Sequence, residues 1–227
     1  MQLTIIYGSE SLLLKPYIKK LSGKVIRIYN KNKPIPKKNF FDFKNSNNNF
    51  NYLDKFIHSQ KDISNIIFIG AAAITDSGLF RSQSVKEIKK QIQINIFNYI
   101  NITSLLLPHM CKINNGTFVY LSSFRAHKPT KGTALYSSSK SFGETFFKSI
   151  GIEYGMFNVT THIIRMGAFE GKMLFNLSEN YKKKIEKNIS LKKFGSAKDL
   201  SSLIGFCIKN KYTNSGILEI NGGLDIE

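Results

Sequence analysis

Short apolar runs, each the length of a strand and most of them followed by helical periodicity, constrain this chain most. The runs fall at residues 3–7, 24–29, 65–69, 116–121, 158–164 and 216–220. The run at 65–69 shows no polar alternation, and a strand of that kind must be covered on both faces. Helical spacing of apolar residues follows at 12–21, 84–110, 136–154 and 197–209, the last with Ser196 placed as its N-cap. A further short strand is expected at 40–43, inside the Asn- and Lys-rich stretch 30–51. Strands alternating with helices over the whole length predict an α/β fold: a doubly wound parallel sheet with helices on both faces, in one domain covering 1–227. Such a sheet binds its ligand beyond the carboxyl ends of the strands, where the strand order reverses.

The chain has 227 residues, enough for a full core, and an ordinary balance of 42% hydrophobic and 21% charged residues. No apolar run is long enough to span a bilayer. Residues 1–8 lack the basic start and long apolar stretch of a signal peptide, so a cytoplasmic location is expected. Cys111 and Cys207 cannot build a disulfide framework or a metal cluster; they read as buried thiols, and no metal site is expected. The net charge is +18, from 33 basic and 15 acidic side chains. The excess is almost all Lys, with Arg only at 27, 81, 125 and 165. Nucleic-acid sites favour clustered Arg or interleaved aromatics on one element, and none is present, so neither nucleic acid nor membrane is an expected partner. An acidic substrate or an acidic carrier protein remains compatible with the charge.

The sharpest local signal is Tyr136-Ser-Ser-Ser-Lys140. Spacing i, i+4 places both side chains on one helix face, one turn apart. An ammonium beside a phenol favours the phenolate and lowers its pKa, which suits a general acid or base. Alone, the pair is equally compatible with a solvated helix face. Its surroundings are more specific. The run at 116–121 ends in Ser122-Ser123, and 136 − 123 = 13 residues separate Ser123 from the tyrosine. Upstream lie Ile94-Asn95-Ile96-Phe97 and Leu106-Leu107-Pro108-His109-Met110; downstream lie the loop from Arg165 to Met173, then Lys193-Phe194-Gly195-Ser196 and Ile220-Asn221-Gly222-Gly223.

In this order and spacing the chain resembles the short-chain dehydrogenase/reductase family, in its single-domain branch, and is similar within it to 3-oxoacyl-[acyl-carrier-protein] reductases. The resemblance implies a Rossmann-like fold and an NAD(P)(H)-dependent oxidoreductase that moves hydride to or from a carbonyl or alcohol carbon. It implies a catalytic set of Asn95, Ser123, Tyr136 and Lys140. Tyr136 would exchange the proton at the substrate oxygen, and Lys140 would lower its pKa and hold the nicotinamide ribose. Ser123 would stabilise charge on the carbonyl oxygen, and Asn95 would hold the active-site helix and a proton-relaying water. The positions implied for cofactor contact are Gly8, Ser9, Ser11, Tyr29, Asn30, Lys31, Asp42, Phe43, Gly70, Ala71, Ala72, Gly167, Ala168, Phe169 and Gly171, with Tyr136 and Lys140.

The cofactor half departs from the family pattern. Of the three glycines in its first motif only Gly8 is present; Leu12 and Leu14 stand at the other two, and Glu10 adds negative charge where phosphates would lie. Gly70-Ala71-Ala72-Ala73 replaces the Asn-rich motif after the fourth strand, Met166 stands for a proline and Gly171 for a threonine. Two readings follow: a working reductase with a divergent nucleotide site, or a family member kept as a binding or scaffolding subunit. No carboxylate closes the second strand, and Lys31 or Lys33 could meet a 2′-phosphate, so NADP(H) is expected over NAD(H). The segment after Gly171 would form a substrate lid, apolar from 173 to 177 and basic from 181 to 184, which reads equally as an amphipathic helix with a solvated Lys face. The substrate is a small or carrier-bound carbonyl compound. Phe124, Arg125 and His127 are placed to line its pocket, with His127 read as a loop residue. The family resemblance implies a homodimer or homotetramer through the long helices at 84–110 and 136–154.

Overall fold

The computed structural model describes residues 1–29, 37–44, 50–75, 78–171, 174 and 177–225. Seven strands form one sheet: β1 (Gln2–Tyr7), β2 (Lys24–Tyr29), β3 (Phe40–Lys44), β4 (Asn65–Gly70), β5 (Gly116–Ser123), β6 (Val159–Met166) and β7 (Gly216–Ile220). All neighbours pair in parallel, in the order β3-β2-β1-β4-β5-β6-β7. The chain winds outward from β1 in one direction and from β4 in the other, which opens a crevice past the carboxyl ends of these two strands.

The unbroken apolar runs are explained by two cores, one on each face. Alternate strand residues point to opposite sides. Leu3, Ile5, Tyr7, Ile66, Phe68, Phe118 and Tyr120 enter one core, and Ile6, Ile67, Ile69, Val119 and Leu121 enter the other. The first core is closed by α2 (Asn51–His58), α4 (Asn98–Ile113) and α5 (Ala134–Tyr154). The second is closed by α1 (Lys15–Lys20) and α7 (Ala197–Lys209). A helix α6 (Glu179–Lys187) stands over the carboxyl edge, where Phe124, Ile189 and Leu224 form a third, smaller apolar cluster. His109 Nε2 meets Asp54 Oδ1 at 2.8 Å and pins α4 to α2.

The boundaries differ from the sequence expectation at several ends, three of them with a physical cause or a bearing on the site. The helix expected over 12–21 is split into a 3-10 turn, Leu12–Leu14, and α1. Pro16 is the reason: inside a longer α-helix its ring would strike the carbonyl of residue 12, whereas in the first turn of α1 its missing N–H costs nothing. The helix expected over 84–110 starts at α3 (Val85–Ile92), behind a capping box of Ser84 and Glu87, and continues into α4. Between the two lies one widened π turn, Gln93–Phe97. The strand expected to end at 121 runs on through Ser123.

Candidate active site

Three elements converge beyond β4 and β5. Ser123 is the last residue of β5 and caps the following one-turn helix, its Oγ accepting from the Arg125 amide at 3.2 Å. Tyr136 and Lys140 lie in the first turns of α5, which packs on β5 and β6. Gly143, one turn further along α5, makes that packing possible: a Cβ there would sit 2.3 Å from the Tyr120 ring. The α5 N-terminal region is also tied to the turn after β5 by Ser141 Oγ, which donates to the Ala126 carbonyl at 2.7 Å.

Burial sets the electrostatics. The Tyr136 phenol is held above its ordinary pKa by burial, opposed by the Ser123 hydroxyl that bonds it and by the Arg125 guanidinium. Lys140 is 4% exposed, and burial pushes its ammonium down to about 7, with the Glu144 carboxylate opposing. Its Nζ donates to the Leu121 carbonyl at 2.7 Å and lies 4.9 Å from the centre of the Tyr120 ring. Lys140 is not among the groups that shift the tyrosine pKa. The cation acting on the phenol is Arg125, and burial outweighs it.

Asn95 is 2% exposed and sits in the π turn. Its amide forms a two-way bond with the Ile74 backbone, Ile74 N to Oδ1 and Nδ2 to Ile74 O, each 2.9 Å, and Nδ2 also reaches Ser139 Oγ at 3.1 Å. The widened turn re-aims this one side chain off the helix. Asn95 thus ties the loop after β4 to α5, between Tyr136 and Lys140.

The positions implied for a cofactor form two groups. At the head of β1, Gly8 has φ +86°, and a Cβ there would meet the Ala72 amide at 2.5 Å, so only glycine fits. Gly8 and Ser9 donate their amides to the Ile28 carbonyl, while Ala71 and Ala72 donate to Tyr7 O at 2.8 and 3.0 Å. Gly70 lies over Tyr99, whose hydroxyl donates to Ala72 O at 2.6 Å. Ser11 precedes the 3-10 turn and makes no side-chain cap. Leu14, at the third glycine position, is fully buried in the second core. Across the crevice, Gly167 is bonded to Ile220 O, Ala168 O accepts from Gly195 N at 3.0 Å, and Phe169 packs on Gly195. Gly171 is buried beside Leu13, so the loops after β1 and β6 touch.

On the β2–β3 side, Tyr29 is buried at the end of its strand and Phe43 stacks on Tyr52 with ring centres 4.2 Å apart. Asp42 is corrected as a ligand: its carboxylate is taken by Arg27 in a bidentate pair at 2.6 and 2.9 Å, with both side chains nearly buried. Asn30, Lys31 and Lys33 lie outside the described residues, as do 172, 173, 175 and 176 of the expected lid. The basic part of that lid is the exposed face of α6, whose Lys182 pairs with Glu179 at 2.7 Å. His127 is an exposed loop residue.

Two residues escaped the sequence reading. Glu144, one turn beyond Lys140, is 7% exposed and accepts from Ser122 Oγ at 2.7 Å and from Arg165 Nε and Nη2 at 3.0 and 2.7 Å. Arg165 also pairs with Glu219 on β7. The signal for Glu144 was the same i, i+4 spacing that links Tyr136 to Lys140; nothing in the sequence paired it with Arg165, which is 21 residues away.

The family model for short chain dehydrogenase matches residues 40–182. This chain belongs to that family. It is 29% identical over 168 residues to the 3-oxoacyl-[acyl-carrier-protein] reductase FabG of Buchnera aphidicola subsp. Schizaphis graminum, covering 73% of this chain and 68% of the relative. It is 25% identical to carbonyl reductase family member 4 of Xenopus laevis, covering 81% and 72%. Among solved structures, a short chain dehydrogenase/reductase family protein superposes with TM-score 0.83 at 14% identity over 98% of this chain and 96% of that one. A Serratia marcescens short-chain dehydrogenase/reductase superposes with TM-score 0.81 over 98% and 97%. The likeness in structure carries the fold, a Rossmann-like doubly wound sheet, and the family match makes the protein an oxidoreductase of the NAD(P)-dependent kind.

Proposed function

We propose that this chain reduces a carbonyl group to an alcohol, with Tyr136 as the proton donor. The observation that carries this reading is the convergence of Ser123 and Tyr136 at the end of β5, where the Ser123 hydroxyl hydrogen-bonds the phenol. A protonated phenol suits the reductive direction, in which the developing alkoxide takes a proton. Ser123 steadies the same oxygen by hydrogen bonding. In its charged form Lys140 has three donors and the Leu121 carbonyl takes one of them, which leaves two for ribose hydroxyls; this end of the site fits a nicotinamide nucleotide. A bound nicotinamide would supply the hydride. Asn95 acts as a positioning residue that holds α5 and the loop after β4 in register.

At the phosphate end, Gly8 keeps the tight turn, and the first amides of the Leu12–Leu14 turn are the donors that remain for a pyrophosphate. Leu12 and Leu14 prevent the close backbone approach that glycines allow, so we expect weak dinucleotide binding. The lysines at 31 and 33 and the lack of a carboxylate beside them favour NADPH over NADH. The substrate is a small ketone or a carrier-delivered acyl group, and the functional unit is a homodimer or homotetramer, which sedimentation velocity checks.

Fluorescence titration with NADPH and NADH, followed by a screen of ketones and acyl thioesters, tests the proposal. Saturable binding of either nucleotide with turnover supports it. Tyr136→Phe is expected to lower turnover about 10²- to 10⁴-fold while nucleotide binding persists. Absence of binding at millimolar nucleotide favours the scaffolding alternative, for which the full burial of Leu14 at a glycine position is the supporting observation.

A further inference from the structure

Of the arginines that are not fully exposed, two have carboxylates in hand. Arg27 is paired with Asp42, and Arg165 with Glu144 and Glu219. Arg125 differs. It is half-buried, its Nη1 is shielded from solvent without a hydrogen-bond partner, and no ion pair involves it among the described residues. A shielded guanidinium nitrogen without an acceptor is costly. Its place in the fold is specific: it lies two residues beyond Ser123, in the one-turn helix Phe124–Ala126 that α5 packs against, and its charge is felt at the Tyr136 hydroxyl. Phe124, its neighbour, packs into the cluster with Ile189 and Leu224.

We infer that Arg125 is a specificity-determining residue that receives an anionic group, a carboxylate, on the substrate whose carbonyl lies at Ser123 and Tyr136. This rests on the reductase reading of the site and names its substrate class: oxo acids rather than neutral ketones. The planar fork of the guanidinium matches a carboxylate with two parallel bonds. A cofactor phosphate is the less suitable occupant, because β5 is two strands, about 10 Å, from the β1 loop where a pyrophosphate would lie. The buried carboxylate of Glu144 on α5 is taken by Ser122 and Arg165. The positive field of a chain with net charge +18 also draws anionic substrates toward the site.

The test uses the full chain and its Arg125→Met and Arg125→Lys variants. Nicotinamide oxidation is followed with acetoacetate, 2-oxobutanoate and succinic semialdehyde, each beside its methyl ester, and malonate binding is measured by calorimetry. The readout is the acid-to-ester ratio of kcat/KM, because Arg125 also acts on Tyr136 and its loss lowers both rates. The wild-type chain is expected to prefer at least one acid by about 10-fold or more. The ratio should fall about 100-fold in Arg125→Met and be largely kept in Arg125→Lys, in line with the cost of removing one partner of a buried charge pair. Malonate should bind the wild-type chain and not Arg125→Met. The melting temperature of Arg125→Met should hold or rise, since a shielded donor without a partner is removed; a residue with a purely structural role would destabilise on loss. Esters reduced as well as every acid, or a ratio unchanged in Arg125→Met, overturns the assignment and leaves the reductase reading standing. No turnover of any compound, with malonate binding that depends on Arg125, retains the anion site and removes the reductase reading. No turnover together with malonate binding that ignores Arg125, or no malonate binding at all, overturns both.

Discussion

Tyr136 and Lys140 feel the same burial with opposite sign. Taking a phenol out of water disfavours the phenolate and raises its pKa, while taking an ammonium out of water disfavours the cation and lowers its pKa, here to about 7. The charged form of Lys140 is present below pH 7 and is lost as the pH rises through 7. If protonated Lys140 supports reduction, kcat/KM for the carbonyl substrate should fall about tenfold per pH unit above 7. A pH–rate profile from 6 to 9 checks this, and a flat profile would remove the charged lysine from the mechanism. The Tyr136–Lys140 pair was visible as an i, i+4 spacing, and Ser123 entered only through the family resemblance. The direction of the phenol shift was not legible, because it depends on how much protein closes over the ring and on Arg125, whose approach to Tyr136 is a matter of loop geometry.

At the scale of the element, α5 carries the site and Gly143 sets its height above the sheet. The Tyr120 ring fills the space where a side chain at 143 would be, and the same ring faces the Lys140 ammonium. Gly143→Ala should therefore destabilise the fold by about 1 to 3 kcal/mol through overpacking, measured by denaturant titration. It should also reduce turnover by displacing Tyr120 beneath Lys140; unchanged stability would show that α5 can lift off the sheet at no cost. Element identity along the chain was readable because a strand covered on both faces and an amphipathic helix leave different periodicities. Two details were not. The split of the first helix follows from Pro16, a signal that was present but outweighed by the apolar spacing of its neighbours. The π turn at Asn95 had no sequence signature, since one extra residue in a turn barely disturbs the periodicity of a long helix.

For the whole molecule, His162 is the group to watch. It lies in the middle of β6, fully buried, with neither ring nitrogen bonded, and burial together with the Lys211 charge pushes its pKa down to about 4 from 6.5. The unfolded chain binds this proton at higher pH than the folded one. Stability is therefore complete above pH 6.5 and is lost as the pH falls from 6.5 toward 4. The expected loss from this one residue is about 3 kcal/mol over that window. Denaturant titrations at pH 7 and pH 4.5 on the wild-type chain and on His162→Asn check it. The variant should lose markedly less stability between the two pH values, and equal losses would show that the imidazole finds a proton acceptor in the folded state.

The sequence by itself determined the layer architecture, the order of strands and helices along the chain, and the one-turn spacing of Tyr136 and Lys140. These follow from periodicity and short spacings, which a linear chain displays directly. Only the tertiary structure decided which charges meet. It joined Arg27 to Asp42 and so withdrew a carboxylate that had read as a ligand, closed Glu144 against Arg165, and left Arg125 beside Tyr136 with an unpartnered nitrogen. Side chains many residues apart are brought together by strand order and helix packing, and the free energy of a charge depends on burial and on partners. Neither is written in the spacing of residues along the chain.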